Sequence, residues 1–282
     1  MSNDATKATT TGTLLAIQEL VVSFDGFRVL DDLSMDIGRG ELRFLIGPNG
    51  AGKTTLMDII SGKIRADSGR VMFDDTNGPN QVKEIDVSGR VMFDGGQELT
   101  KMREDQVVKA GIGRKFQTPS VFGSLTCFEN VEVAAGFRDR IFRLFTPMRS
   151  TMRDRIMSVL QTVGLEARKE ITGASLSHGE RQWLEIAMLL VQDPKLLLLD
   201  EPVAGMTGKE RERTGELLHA LEGAHSLIVT EHDMDFVRQF SRKVTVLHMG
   251  KLLREGTVDE IQADEMVQQV YTGRSKVAVE VA

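Results

Sequence analysis

The stretch GPNGAGKT, Gly47 to Thr54, limits the possible folds more than any other part of this chain. It satisfies G-x-x-x-x-G-K-[ST] at every fixed position, follows the strand-like run ELRFLI and opens a helical pattern. A strand, a tight glycine loop and a helix N-terminus in succession make an anion cradle. Gly47, Pro48, Asn49, Gly50, Ala51 and Gly52 form that cradle, whose glycines let backbone N–H groups curl around a β-phosphate. Lys53 reaches the β- and γ-oxygens, the Thr54 hydroxyl is placed to ligate Mg²⁺, and Thr55 can reach an α-phosphate. The sequence therefore predicts a nucleotide site on an α/β core.

The surrounding pattern supplies that core. LLAIQELVVSF, FRVLDDLSMDI and ELRFLI alternate like strands and are broken by Asp-Gly and Gly-Arg-Gly turns. From about Cys127 to Val191 the periodicity is helical. Beyond Pro194 the short apolar runs KLLLLD, SLIVTE and KVTVLHMGKLL suit strands covered on both faces. A helical subdomain thus interrupts an α/β core. The polar N-terminus MSNDATKATTTG lacks the features of a signal peptide and reads as a disordered lead-in. No apolar run approaches the roughly 20 residues of a membrane span.

Composition narrows the partners. A formal net charge of -6 argues against nucleic acid. The single cysteine, Cys127, excludes an internal disulfide framework, suits a reducing cytoplasm and reads as a small buried hydrophobe. Two features carry no evident chemistry. SGRVMFD occurs at Ser68–Asp74 and again at Ser88–Asp94, which reads as a local duplication adding a strand and turn to a surface loop. The arginine-rich segment Gly136–Arg155 suits a solvated helix edge or a partner surface.

The second half of a nucleotide site lies in KLLLLDEP. The apolar run ends in Asp200, which can hold Mg²⁺ through water, and Glu201 follows as a candidate general base for an attacking water. GIGRKFQTPSVF places Gln117 where the strand region gives way to helices, and IVTEHDMDF places His232 directly after another apolar strand. Both are candidates to sense a γ-phosphate. A further helix start, LSHGE, offers a second anion site that the phosphate loop leaves without an obvious purpose.

In this order the phosphate loop, Gln117, LSHGE, LLLLDEP and His232 resemble the ATP-binding subunit of an ABC transporter, over about residues 14–274. The resemblance implies a P-loop NTPase fold with a mixed β core, an N-terminal antiparallel β subdomain and a helical subdomain at about 118–192, flanked by a lead (1–12) and a tail (275–282). It implies ATP and Mg²⁺ as cofactors. Glu201, His232 and Gln117 take the catalytic roles, and Thr54, Gln117 and Asp200 the metal. Phe24, 29 residues before Lys53, falls where an aromatic ring stacks on adenine. In this family LSHGE binds the γ-phosphate of ATP held by the opposite subunit, which here assigns Ser177 and Gly179 to a partner's nucleotide. The implied partners are a second ATPase subunit (a copy or a paralogue), transmembrane permease subunits and, through them, a periplasmic binding protein. The place of work is then the cytoplasmic face of the inner membrane.

Two positions depart from the common family pattern. His178 and Glu180 stand where a glycine and a glutamine are usual, and the segment AGMT ends in Thr207 instead of aspartate. RKFQTPSVFGSLTCFENVEVA, LSHGERQWLEIAMLLVQDPKLLLLDEPVAGMT and KVTVLHMGKLLREG resemble the urea-transporter ATPase within the branched-chain amino acid importer group. The expectation is an ATPase subunit for import of urea or short amides, with branched-chain amino acid import as the alternative. A non-transport ABC protein acting on nucleic acid or ribosomes is disfavoured because the chain has one cassette and neither a long coiled coil nor zinc motifs. A small-molecule P-loop kinase is opposed by LSHGE and His232.

Overall fold

The N-terminal alternation becomes a long hairpin. Strands β1 (Thr13–Phe24) and β2 (Phe27–Gly38) pair antiparallel and reverse at Asp25 and Gly26, both with left-handed backbone. The computed structural model describes residues 12–74, 82–85, 91–93, 96–115, 121–136 and 150–272. The N-terminal lead, the C-terminal tail, most of the arginine-rich segment and Gln117 lie outside the described residues.

After the hairpin, β3 (Leu42–Ile46) leads through the phosphate loop into α1 (Lys53–Ile60). Strands β4 (Ser68–Phe73), β5 (Val82–Ile85), β6 (Val91–Phe93) and β7 (Gln97–Glu98) come next, followed by α2 (Glu104–Ala110) and β8 (Ile112–Lys115). The helical segment holds α3 (Cys127–Gly136), α4 (Ser150–Thr162) and α5 (His178–Leu190). The chain then alternates as β9 (Leu196–Asp200), α6 (Gly208–Leu221), β10 (Ser226–Thr230), α7 (Met234–Phe240) and β11 (Lys243–His248). It finishes with β12 (Lys251–Gly256), α8 (Val258–Ala263) and α9 (Glu265–Thr272).

An antiparallel sheet of order β2-β1-β4-β7 stands beside a six-stranded sheet of order β12-β11-β3-β10-β9-β8. Within the second sheet only β12 runs antiparallel, so the core sheet is mixed, as expected. The run KVTVLHMGKLL divides at Met249 and Gly250, whose positive φ angles turn β11 back into β12. The first copy of SGRVMFD is β4, with Val71 and Phe73 buried. The second copy supplies β6, which pairs with β5 in a separate two-stranded ribbon.

The central strands are apolar on both faces because both are covered. Leu197 and Leu199 of β9 belong to the same buried cluster as Trp183, Leu184 and Ala187 of α5, while Leu196 and Leu198 belong to the cluster that holds Leu56, Ile59 and Ile60 of α1. Alternate residues of one strand thus seal two separate cores, each fully buried leucine contributing on the order of 2 kcal/mol. The polar strand ends project beyond these cores, where the loops that follow β3, β9 and β10 can meet. Among the described residues no helix is long and apolar enough to cross a membrane.

Candidate nucleotide site

The phosphate loop is wedged between β2 and β11, and two glycines make that possible. Gly47 has φ 149° and Gly52 φ 100°. A Cβ at Gly47 would lie 2.2 Å from the Leu247 carbonyl oxygen, and one at Gly52 would lie 2.6 Å from Leu30 Cδ2. Gly52 caps α1 without a side chain, and the first turn carries no acid, so the helix N-terminus keeps its N–H groups for an anion. Lys53 Nζ donates to the carbonyls of Gly47 and Pro48 at 2.6 and 3.1 Å. Burial lowers its pKa, and the carboxylates of Glu201 and Asp200 oppose that change. The lysine therefore sits within electrostatic reach of the end of β9. Thr54 and Thr55 follow on the first turn of α1, the former exposed.

At the end of β9 the backbone changes hand. Asp200 is buried, and its Oδ1 accepts from the Thr230 hydroxyl at 2.5 Å, across the register pair Thr230–Asp200. Glu201 has φ 46°, a left-handed conformation that costs a non-glycine residue about 1 kcal/mol or more. Its N–H donates to the Thr230 carbonyl at 3.1 Å, which fixes the turn. The turn brings Glu201 Oε1 to 3.6 Å from His232 Nδ1. Two of the three predicted catalytic residues, 31 positions apart in sequence, therefore share one corner with Asp200.

Sequence reasoning passed over the residue between them. Glu231 is 1% exposed and accepts N–H groups from Val203 and His232, each at 3.3 Å. It thereby ties the turn after Glu201 to the backbone of His232. Burial pushes its carboxyl from 4.5 up to about 7, with those N–H groups opposing the change. Another missed residue is Tyr271 of α9, 41% exposed, whose hydroxyl approaches the Gly47 backbone. Neither residue carries a local sequence signal.

Ser177 is the N-cap of α5. Its Oγ accepts the Glu180 N–H at 3.1 Å, and Glu180 Oε2 accepts the Ser177 N–H at 2.9 Å. The capping box accepts Glu or Gln at that position, so Glu180 keeps the cap that the usual glutamine could also make. Thr207 caps α6 in the same manner with Glu210, so the other departure also serves as an N-cap. His178 Nε2 lies 3.0 Å from the Ala204 carbonyl, joining the start of α5 to the turn after β9. Ser177 Oγ also donates to Glu210 Oε1 at 3.2 Å, and Gly179 is buried beneath the same carboxylate. Phe24 ends β1 at the hairpin tip, 48% exposed. Its ring is available to stack on a planar ligand.

Cys127 opens α3 and is fully buried, with its thiol pushed up to about 11 by burial. That matches its reading as a small hydrophobe.

Comparison with known proteins shows the family and the fold. Residues 30–204 match the family model described as ABC transporter. The high-affinity branched-chain amino acid transport ATP-binding protein LivG of Salmonella typhimurium is 30% identical over 272 residues, covering 93% of this chain and 98% of the relative. A crystal structure of the ADP conformation of MJ1267, an ATP-binding cassette of an ABC transporter, superposes with a TM-score of 0.76 at 25% identity. It covers 93% of this chain and all of its own. A dimeric post-hydrolysis state of the cassette MJ0796, bound to ADP and Pi, superposes at 0.66 and 24% identity, over 87% and 99% of the two chains.

Proposed function

The chain belongs to the ABC transporter family, and from that premise we propose that it is the ATP-hydrolysing subunit of an importer of the branched-chain amino acid group. The observation that supports transport of amino acids is the similarity to LivG, which runs nearly end to end in both chains. The similarity favours this alternative over the expectation of urea. A second reading, import of urea or short amides, rests on RKFQTPSVFGSLTCFENVEVA, LSHGERQWLEIAMLLVQDPKLLLLDEPVAGMT and KVTVLHMGKLLREG, which resemble the urea-transporter ATPase.

In this proposal the chain spans a cassette of about residues 13–274 and works at the cytoplasmic face of the inner membrane. Phe24 stacks on adenine, and the cradle from Gly47 to Thr55 holds the phosphates of ATP. Thr54, Asp200 and Gln117 hold Mg²⁺, which supplies charge neutralisation on the phosphates. The donor set fits that ion, since a hydroxyl, an amide oxygen and one carboxylate are hard oxygen ligands. Glu201 takes the proton of the attacking water, with His232 beside it at the γ-phosphate. Gln117 carries movement to the permease, a role resting on the resemblance alone.

Ser177 and Gly179 serve the nucleotide of a second cassette, so two subunits close on two ATP molecules. The test is reconstitution of the transporter copurified with this subunit from native membranes. ATP hydrolysis stimulated by binding protein loaded with leucine supports the amino-acid reading. Stimulation by urea or acetamide alone replaces it with the second. No stimulation by either, with no permease copurifying, removes the transport role.

A further inference from the structure

Glu210 lies 33 residues from Ser177, yet its carboxylate sits on the groups that the proposed function gives to a partner's phosphate. Oε1 accepts from Ser177 Oγ at 3.2 Å. A Cβ built on Gly179 would lie 2.5 Å from the same oxygen and 2.7 Å from the carboxyl carbon, so the carboxylate covers the Gly179 backbone. The nearby Gly179 backbone N–H is the smallest of the influences that lower this carboxyl's pKa. The second oxygen, Oε2, is held separately by the Thr207 N–H at 2.9 Å and the Thr207 hydroxyl at 2.8 Å. One oxygen thus closes the cap of α6 while the other faces the start of α5.

We propose that Glu210 is the resident anion of the LSHGE site, occupying the donors of Ser177 and Gly179 in the single chain and yielding them when two chains close on ATP. The inference rests on the shared-site reading of Ser177. A γ-phosphate arriving at Ser177 meets a carboxylate of like charge, which opposes closure until Oε1 withdraws. Withdrawal is local, because the bonds from Thr207 to Oε2 keep α6 capped throughout. The Thr207 N–H and hydroxyl, with Ser177 and Gly179 adding to them, hold the carboxyl below the usual carboxylate range, so it is ionised at neutral pH. Glu210 is therefore a positioning residue: it sets when the site becomes available and touches no reacting atom.

The test compares Glu201→Gln with Glu201→Gln/Glu210→Gln, following ATP-driven self-association by analytical ultracentrifugation. Glutamine keeps the shape and supports the same capping box, and thermal melting checks that both variants fold alike. Replacing a charged acceptor by a neutral one weakens the contact with Ser177, so association is expected to tighten by about three- to ten-fold. ATP affinity of the monomer, measured by calorimetry at low protein concentration, stays the same. If the parent associates and the double variant associates equally or less well, Glu210 is a scaffold for Ser177 and the inference falls alone. If neither protein associates with ATP, the shared site between two copies of this chain fails, and the inference falls with it. Association of the double variant where the parent stays monomeric supports the inference outright.

Discussion

Lys115 and Glu185 form a buried ion pair, with Nζ 3.6 Å from Oε2 and side chains only 1% and 7% exposed. The lysine ends β8, and the glutamate lies two turns into α5, the helix that starts at Ser177. Burial lowers the ammonium's pKa, while Glu185, with Asp200 and Glu231 farther off, holds it up. The pair therefore fastens the edge of the core sheet to the helical segment.

Removing one partner leaves a charge in an apolar setting. Lys115→Met is expected to destabilise the chain by about 3–5 kcal/mol. Lys115→Met/Glu185→Leu, which removes both charges, should regain most of that loss. Urea unfolding of the three proteins measures the difference, and a double variant no more stable than the single one would refute the explanation.

Glu201→Gln should leave ATP binding intact and slow hydrolysis by about 10²–10⁴-fold, because the general base alone is lost. Lys53→Ala should instead weaken binding about ten- to hundred-fold, through loss of charge-assisted bonds to phosphate. Calorimetry and a phosphate-release assay separate the two. Turnover unchanged in Glu201→Gln would take that residue out of the base role.

Glu231 makes stability depend on pH. Its carboxyl binds a proton more readily folded, at about 7, than unfolded, at 4.5. Its contribution is complete below pH 4.5 and declines as pH rises through about 7. At about 1.4 kcal/mol per pH unit, the decline amounts to about 3 kcal/mol. Glu231→Gln lacks this titration, so its stability relative to the unaltered chain should improve from pH 4.5 to pH 8. Denaturant titrations at those two pH values give the comparison; a constant difference would mean that Glu231 does not titrate in this range.

Deleting residues Val71 to Arg90 joins Arg70 to Val91 and restores one SGRVMFD. Val91 and Phe93 then take the buried places of Val71 and Phe73 in β4 with identical side chains. Stability should change by about 1 kcal/mol or less, since shortening a surface loop alters closure entropy only slowly. Calorimetric melting reports this, and failure to fold would show that the β5–β6 ribbon supports the sheet.

The phosphate loop and the strand ends were legible in sequence because their chemistry is local. Asp200 ends an apolar run and Lys53 closes the glycine loop that follows another, so the flanking periodicity identifies the strands. The contacts of Glu210 with Ser177, Glu231 with Val203 and Lys115 with Glu185 were not legible, because each joins segments that only the fold brings together. Lys115 and Glu185 are 70 positions apart, and a charge amid Leu184 and Ile186 gives no hint of its partner. Glu180 was different: read as a departure, it is the fourth residue of an S-x-x-E capping box that the sequence already displays.

Cys127 gives the chain a practical advantage. With no exposed surface and a thiol at about 11, only about one molecule in ten thousand carries the thiolate at pH 7. Maleimides and similar labels should pass it by in the folded protein. A single engineered cysteine at a surface position can thus carry a fluorophore or spin probe against a silent background, without first replacing the native thiol.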